Sequence, residues 1–138
     1  MLNYKTYRDK IKGCWLGKNI GGTFGAPLEG KSCMEFDRFY DFYLQDLTGE
    51  PVPNDDLDLQ LVWLNAAEKY KDRLNSRILG EDWLSYITPN PEEYGGCKAN
   101  LERGILPPLS GWVNNLYKYS NGGFIRSEIW ACLAPGHP

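Results

Sequence analysis

Tyr4, Tyr7, Ile11, Cys14, Trp15 and Leu16 recur at helical spacing, which predicts a first helix over 4–19. Gly13, Gly17, Gly21 and Gly25 follow one another at four-residue intervals. On a helix that interval puts small residues on one face. Glycine costs about 1 kcal/mol against alanine in a helix interior, so its repeated use calls for a reason. Close approach of another helix is one reason and fits Gly13 and Gly17. For Gly21, Gly22 and Gly25 a turn carrying a site fits equally, because Pro27 ends any helix there. The aromatic segment 36–47 reads as a short helix or an irregular cover. Gly49, Pro51 and Pro53 then break the chain.

Asn54 is a good N-cap residue, and Asp55, Asp56 and Asp58 follow in a first turn, where the helix dipole favours carboxylates. From Leu57 to Ala67 apolar side chains point to every face, which predicts a buried, central helix over 55–71. Further helices are expected over 80–86 and 91–103, with Pro107 and Pro108 as the next break. Segment 110–119 is short and mixed. Asn121, Gly122 and Gly123 signal a turn. Ser127 is placed to cap a last helix with Glu128 in its first turn, ended by Pro135 and Gly136. No alternating β pattern, internal repeat or linker interrupts this series. The predicted class is all-α.

Composition adds limits. The 138 residues are one domain's worth, with 42% apolar residues and a heavy aromatic share of 14%. The net charge of -3 offers no basic footprint for nucleic acid. No apolar run approaches the roughly 18 residues of a membrane span. The opening MLNYKTYRDK has no apolar stretch of the secretory kind. Four cysteines without an export signal then read as reduced thiols in a cytoplasm. Their spacing contains no C-x-x-C, and the one histidine is His137, so zinc and histidine-based catalysis are not expected. Catalysis by this chain would run on carboxylates, a metal ion, or both.

Three segments carry candidate chemistry. Asp55, Asp56 and Asp58 serve as capping and dipole complements, or as an oxygen-only site for a hard cation such as Mg²⁺. The stretch Gly21–Gly30 holds one carboxylate, Glu29, which is either a solvated side chain or part of a site. Ser120–Arg126 (SNGGFIR) is a glycine loop running into a helix start. It can offer backbone N–H groups to an anion with Arg126 as a fork donor, or be a turn with a structural arginine.

Together the three resemble one family. The opening IKGCWLGKNIGGTFGAPLEG is similar to the start of the ADP-ribosylglycohydrolases, G-x-x-x-G-x-x-x-G-D-A-x-G-x-P-x-E. The segment NDDLD stands where that family carries T-D-D-T. The segment SNGGFIRSEIWACLAPG resembles its G-x-G-x-x-M/I-R substrate loop and the following helix. The order matches, and the resemblance spans essentially the whole chain as the N-terminal part of a compact multi-helix domain. It implies cleavage of the glycosidic bond of ADP-ribosyl or related small-molecule substrates at a centre of two Mg²⁺ ions. It assigns Asn54, Asp55 and Asp56 to the metal, and Glu29 and Asp56 to catalysis. Asn121, Gly122, Gly123 and Arg126 fall to the substrate.

The sequence also departs from the family pattern. Asn54 and Leu57 replace threonines, with Asp58 following. Lys18–Asn19 and Gly22–Thr23 differ from the usual G-D-A. The family's second acidic motif, D-x-D-T, falls beyond Pro138. The expectation is therefore a single, incomplete domain over 1–138, weakly active or inactive alone. It would be completed by a C-terminal chain or by self-association, with no nucleic-acid or membrane partner. The rival expectations are a non-catalytic module that binds ADP-ribose, a nucleotide or a partner, and a truncated product with no function of its own.

Overall fold

The computed structural model describes residues 3–26, 30, 32, 55–88 and 92–137. Among these, five α-helices and no strand are found: α1 (Tyr4–Gly25), α2 (Asp55–Tyr70), α3 (Ser76–Tyr86), α4 (Glu92–Glu102) and α5 (Glu128–Leu133). Short 3₁₀ turns lie at Lys71–Arg73, Leu109–Gly111 and Phe124–Arg126. The all-α class holds. None of the described helices is long and apolar enough to cross a membrane. The chain divides into two units, residues 1–57 and 58–138.

In the first unit, Asn3 caps α1 by accepting the Lys5 N–H at 2.8 Å. The helix runs six residues past the expected Asn19. Thr23 Oγ1 donates to the Asn19 carbonyl at 2.8 Å, and the Ala26 N–H still reaches Gly22. Glycine lowers helix propensity without stopping a helix, and the turn expected at 21–25 is helical instead. A Cβ built on Gly13, Gly17, Gly21 or Gly25 meets no described atom within 4 Å. Close helix approach therefore does not account for that column among the described residues. Asn54 and the segment 36–47 lie outside them.

The second unit is built on faces at helical spacing. Leu59, Trp63 and Ala66 share one side of α2, Leu79 and Trp83 share one side of α3, and Ile87 follows at the end of α3. Tyr94, Cys97 and Leu101 share one side of α4. Leu59, Ile87 and Tyr94 are buried together, with Trp63 and Trp83 against them. The rings continue as a spine. Trp63 lies 6.3 Å from Trp83 and 5.9 Å from Trp130 of α5, and Trp83 meets Tyr94 edge-on at 6.0 Å. Gly80 lets α3 come close to α4, since a Cβ there would stand 3.1 Å from Leu101 Cδ2 and 3.3 Å from Pro107 Cγ. Its helix begins earlier than expected because Asn75 caps it, accepting from Arg77 and Ile78 at 3.0 and 3.1 Å.

Helix α2 is not enclosed all round, as its apolar faces predict. Leu61 is 53% and Leu64 38% exposed. Leu59 and Ala66 are buried, Leu57, Val62, Trp63 and Ala67 half-buried, and Leu61 and Leu64 exposed.

Three buried polar side chains fix the loops of this unit. Asn100 of α4 donates through Nδ2 to the carbonyls of Ser110 and Val113, at 2.9 and 2.6 Å. Asn115 donates to the Gly111 carbonyl at 3.0 Å and accepts the Tyr117 N–H at 2.9 Å. Gln60 of α2 accepts the Ile129 N–H at 2.9 Å. That contact corrects the expected cap of α5. Ser127 stands at the N-cap position but in helical backbone (φ -101°), and makes no capping bond. Its hydroxyl donates backward to the Phe124 carbonyl at 2.7 Å.

Candidate functional site

The glycine loop is closed by its own backbone. The N–H groups of Phe124 and Ile125 both reach the Asn121 carbonyl at 3.1 Å, which turns the chain into the 3₁₀ segment. Arg126 ends that segment with its side chain folded inward and 4% exposed. Its Nη1 donates to the Gly122 carbonyl at 3.1 Å, and its guanidinium lies 4.9 Å from the centre of the Tyr94 ring. The fork expected to face an anion thus spends one arm and one face on holding the loop. Gly123 has ordinary helical backbone (φ -68°), so its conformation does not require glycine. A side chain there would enter open space. What glycine leaves at this point is bare backbone beside a groove.

That groove holds about 280 Å³. Gly122, Gly123 and Ser120 form one wall, and Trp63, Trp83 and Tyr94 contribute aromatic surface. Lys118 and Arg126 are the charged residues lining it, and no Asp or Glu is among its described lining. Such a mixture suits a planar ring joined to an anionic group. Gly122, Gly123 and Arg126 are brought together at this groove, and Asn121 is exposed at its loop. The aromatic lining was not anticipated. Trp63, Trp83 and Tyr94 come from three different helices and also pack the core.

A second groove of about 290 Å³ is more apolar, lined by Leu79, Leu101, Pro107 and Trp130 among others, and shares Trp63, Trp83, Cys97 and Gly111 with the first. Burial pushes the Cys97 thiol up from its ordinary value of 9.0, and a hydrogen bond with Ser110 partly offsets this.

Asp55 and Asp56 occupy the first turn of α2, Asp55 exposed and Asp56 half-buried. Asp58 follows and is exposed. Asn54 and Glu29 lie outside the described residues. Among those described, no three or more His, Cys, Asp or Glu side chains gather as a metal cluster. The donor chemistry of Asp55 and Asp56, two adjacent carboxylates, nevertheless suits a hard cation of the Mg²⁺ kind.

Among curated proteins and among solved structures the chain has no significant match. The family comparison does give one. Residues 3–138 match ADP-ribosylglycohydrolase, and the chain belongs to that family.

Proposed function

We propose that the protein is a Mg²⁺-dependent hydrolase that cleaves the glycosidic bond of an ADP-ribosyl adduct or a related glycoside. The groove beside Gly122 and Gly123 carries this reading, because it combines bare backbone, aromatic surface and two cations. In this reading the loop 121–123 holds the phosphate or ribose, and Arg126 fixes the loop by its bond to Gly122. Trp63, Trp83 and Tyr94 exclude water from one side of the substrate. Asp55 and Asp56, with Asn54, would hold the metal, and Glu29 would act on the water or its metal. When bound, Mg²⁺ would lower the pKa of a water and orient the ribose hydroxyls. The protein's own part in that chemistry is to hold the adduct against the loop and to take up or deliver a proton through a carboxylate.

A second reading is a module that binds ADP-ribose or a nucleotide without cleaving it. It is favoured by a groove whose described lining has binding groups and no carboxylate. One experiment separates the two. The protein is incubated with ADP-ribosyl-arginine and ADP-ribosyl-serine in Mg²⁺, beside Asp55→Ala and Asp56→Ala variants. At most weak release of ADP-ribose is expected from this chain alone, and release that both substitutions abolish would carry the hydrolase reading. Binding of ADP-ribose with no turnover would leave the binding module.

A further inference from the structure

We propose that Lys118, whose ammonium rests on Trp112, is the residue by which the groove selects ligands that carry a phosphate. This deepens the reading of the groove given above and depends on it. Lys118 lines the groove on the side of Ser120 and Gly122. Its Nζ lies 4.4 Å from the centre of the Trp112 ring and 5.4 Å from that of Tyr119. The two rings meet edge to face at 5.6 Å and form a corner open to solvent, with Tyr119 78% exposed. Lys118 makes no ion pair among the described residues.

Of the two cations in the groove, only Lys118 has reach to spare. Arg126 is buried and holds the Gly122 carbonyl. The backbone under Lys118, by contrast, is fixed while its head is not. Asn115 ties Gly111 to Tyr117, and the Lys118 N–H reaches the Asn115 carbonyl at 3.4 Å. The four-carbon stem can therefore swing its ammonium from a fixed root. An exposed cation–π contact is weak, and with no carboxylate among the described lining of the groove a pyrophosphate is the stronger partner. The rings of Trp112 and Tyr119 hold the ammonium beside the groove.

The test is calorimetry on the whole chain with ADP-ribose and with adenosine, for the wild type and for Lys118→Met, Lys118→Arg and Trp112→Leu. Lys118→Met keeps the stem and removes the charge. It should weaken ADP-ribose binding about tenfold, as expected for one charge-assisted contact, and leave adenosine unchanged. Lys118→Arg should restore the affinity, and salt should weaken ADP-ribose binding less in Lys118→Met than in wild type. Trp112→Leu keeps the cation and should bind ADP-ribose no more weakly than wild type. Three outcomes would overturn the inference alone: ADP-ribose binding that Lys118→Met leaves intact, equal losses for both ligands, or a loss in Trp112→Leu as large as in Lys118→Met. Failure of the wild type to bind either ligand would overturn the groove reading and this inference with it.

Discussion

The side chain of Gln60 on α2 caps the backbone of Ile129 on α5, 69 positions along the chain, at 2.9 Å. Gln60 is 1% and Ile129 2% exposed, so water cannot replace the bond. Gln60→Met keeps the length of the side chain and removes the acceptor. Leaving that N–H unsatisfied is expected to cost about 1–3 kcal/mol. Amide hydrogen exchange checks the cause. The Ile129 amide should exchange faster, while that of Ile105, bonded to the Asn100 carbonyl at 2.9 Å, should keep its protection.

Asn100 uses both hydrogens of one amide nitrogen on two carbonyls. Asn100→Leu strands both and should lower stability by about 2–4 kcal/mol in urea unfolding. Asn100→Asp is closer in shape but should be worse at neutral pH, because it turns a carboxylate oxygen toward two carbonyl oxygens. Acidification should narrow the gap, since a protonated carboxyl regains one donor.

Gly80 sets the spacing of α3 and α4. Alanine there gains up to about 1 kcal/mol of helix propensity but presses on Leu101 and Pro107, so Gly80→Ala should be near neutral. Gly80→Val adds two methyl groups beyond that Cβ and should destabilise by about 2–3 kcal/mol. Chemical unfolding midpoints of the two variants give the comparison.

Cys97 supplies a pH dependence with a definite sign. Its thiol is raised by burial above the ordinary 9.0, so the folded protein releases this proton later than the unfolded chain does. The stabilisation is complete below the ordinary thiol range and is lost as pH rises through the raised value. Wild-type stability should fall more steeply than that of Cys97→Ala on the alkaline side of 9.0. Alkylation of Cys97 by iodoacetamide at neutral pH should be slow and should speed up on unfolding.

How far the sequence carries depends on how local the cause is. Helix α2 was expected over 55–71 and is found over Asp55–Tyr70, since its start and its apolar run are local signals. The glycine loop was legible for the same reason. Gln60 and Asn100 were not. A buried amide looks like any surface amide until a partner folds against it, and for Gln60 that partner is far along the chain. The sequence likewise marked Ser127 as a cap by residue type, although its backbone is helical. In the candidate site, Gly122, Gly123 and Arg126 were anticipated from their motif and line one groove. The aromatic lining was hidden, because Trp63 and Trp83 serve the core and the groove at once. Glu29 and Asn54 lie outside the described residues, and the activity assigned to them rests on the family motif.

The tryptophan spine has an optical consequence. Trp63 stands 5.9 Å from Trp130 and 6.3 Å from Trp83, close enough for their excited states to mix and pass energy between them. Two of the three also face the groove. Light absorbed at any of them is therefore shared with rings that a bound base would touch. Stacking of a nucleobase there would dim the emission of the cluster and alter its near-ultraviolet circular dichroism. Under the proposed reading the cluster is a label-free reporter of groove occupancy, placed where α2, α3 and α5 meet.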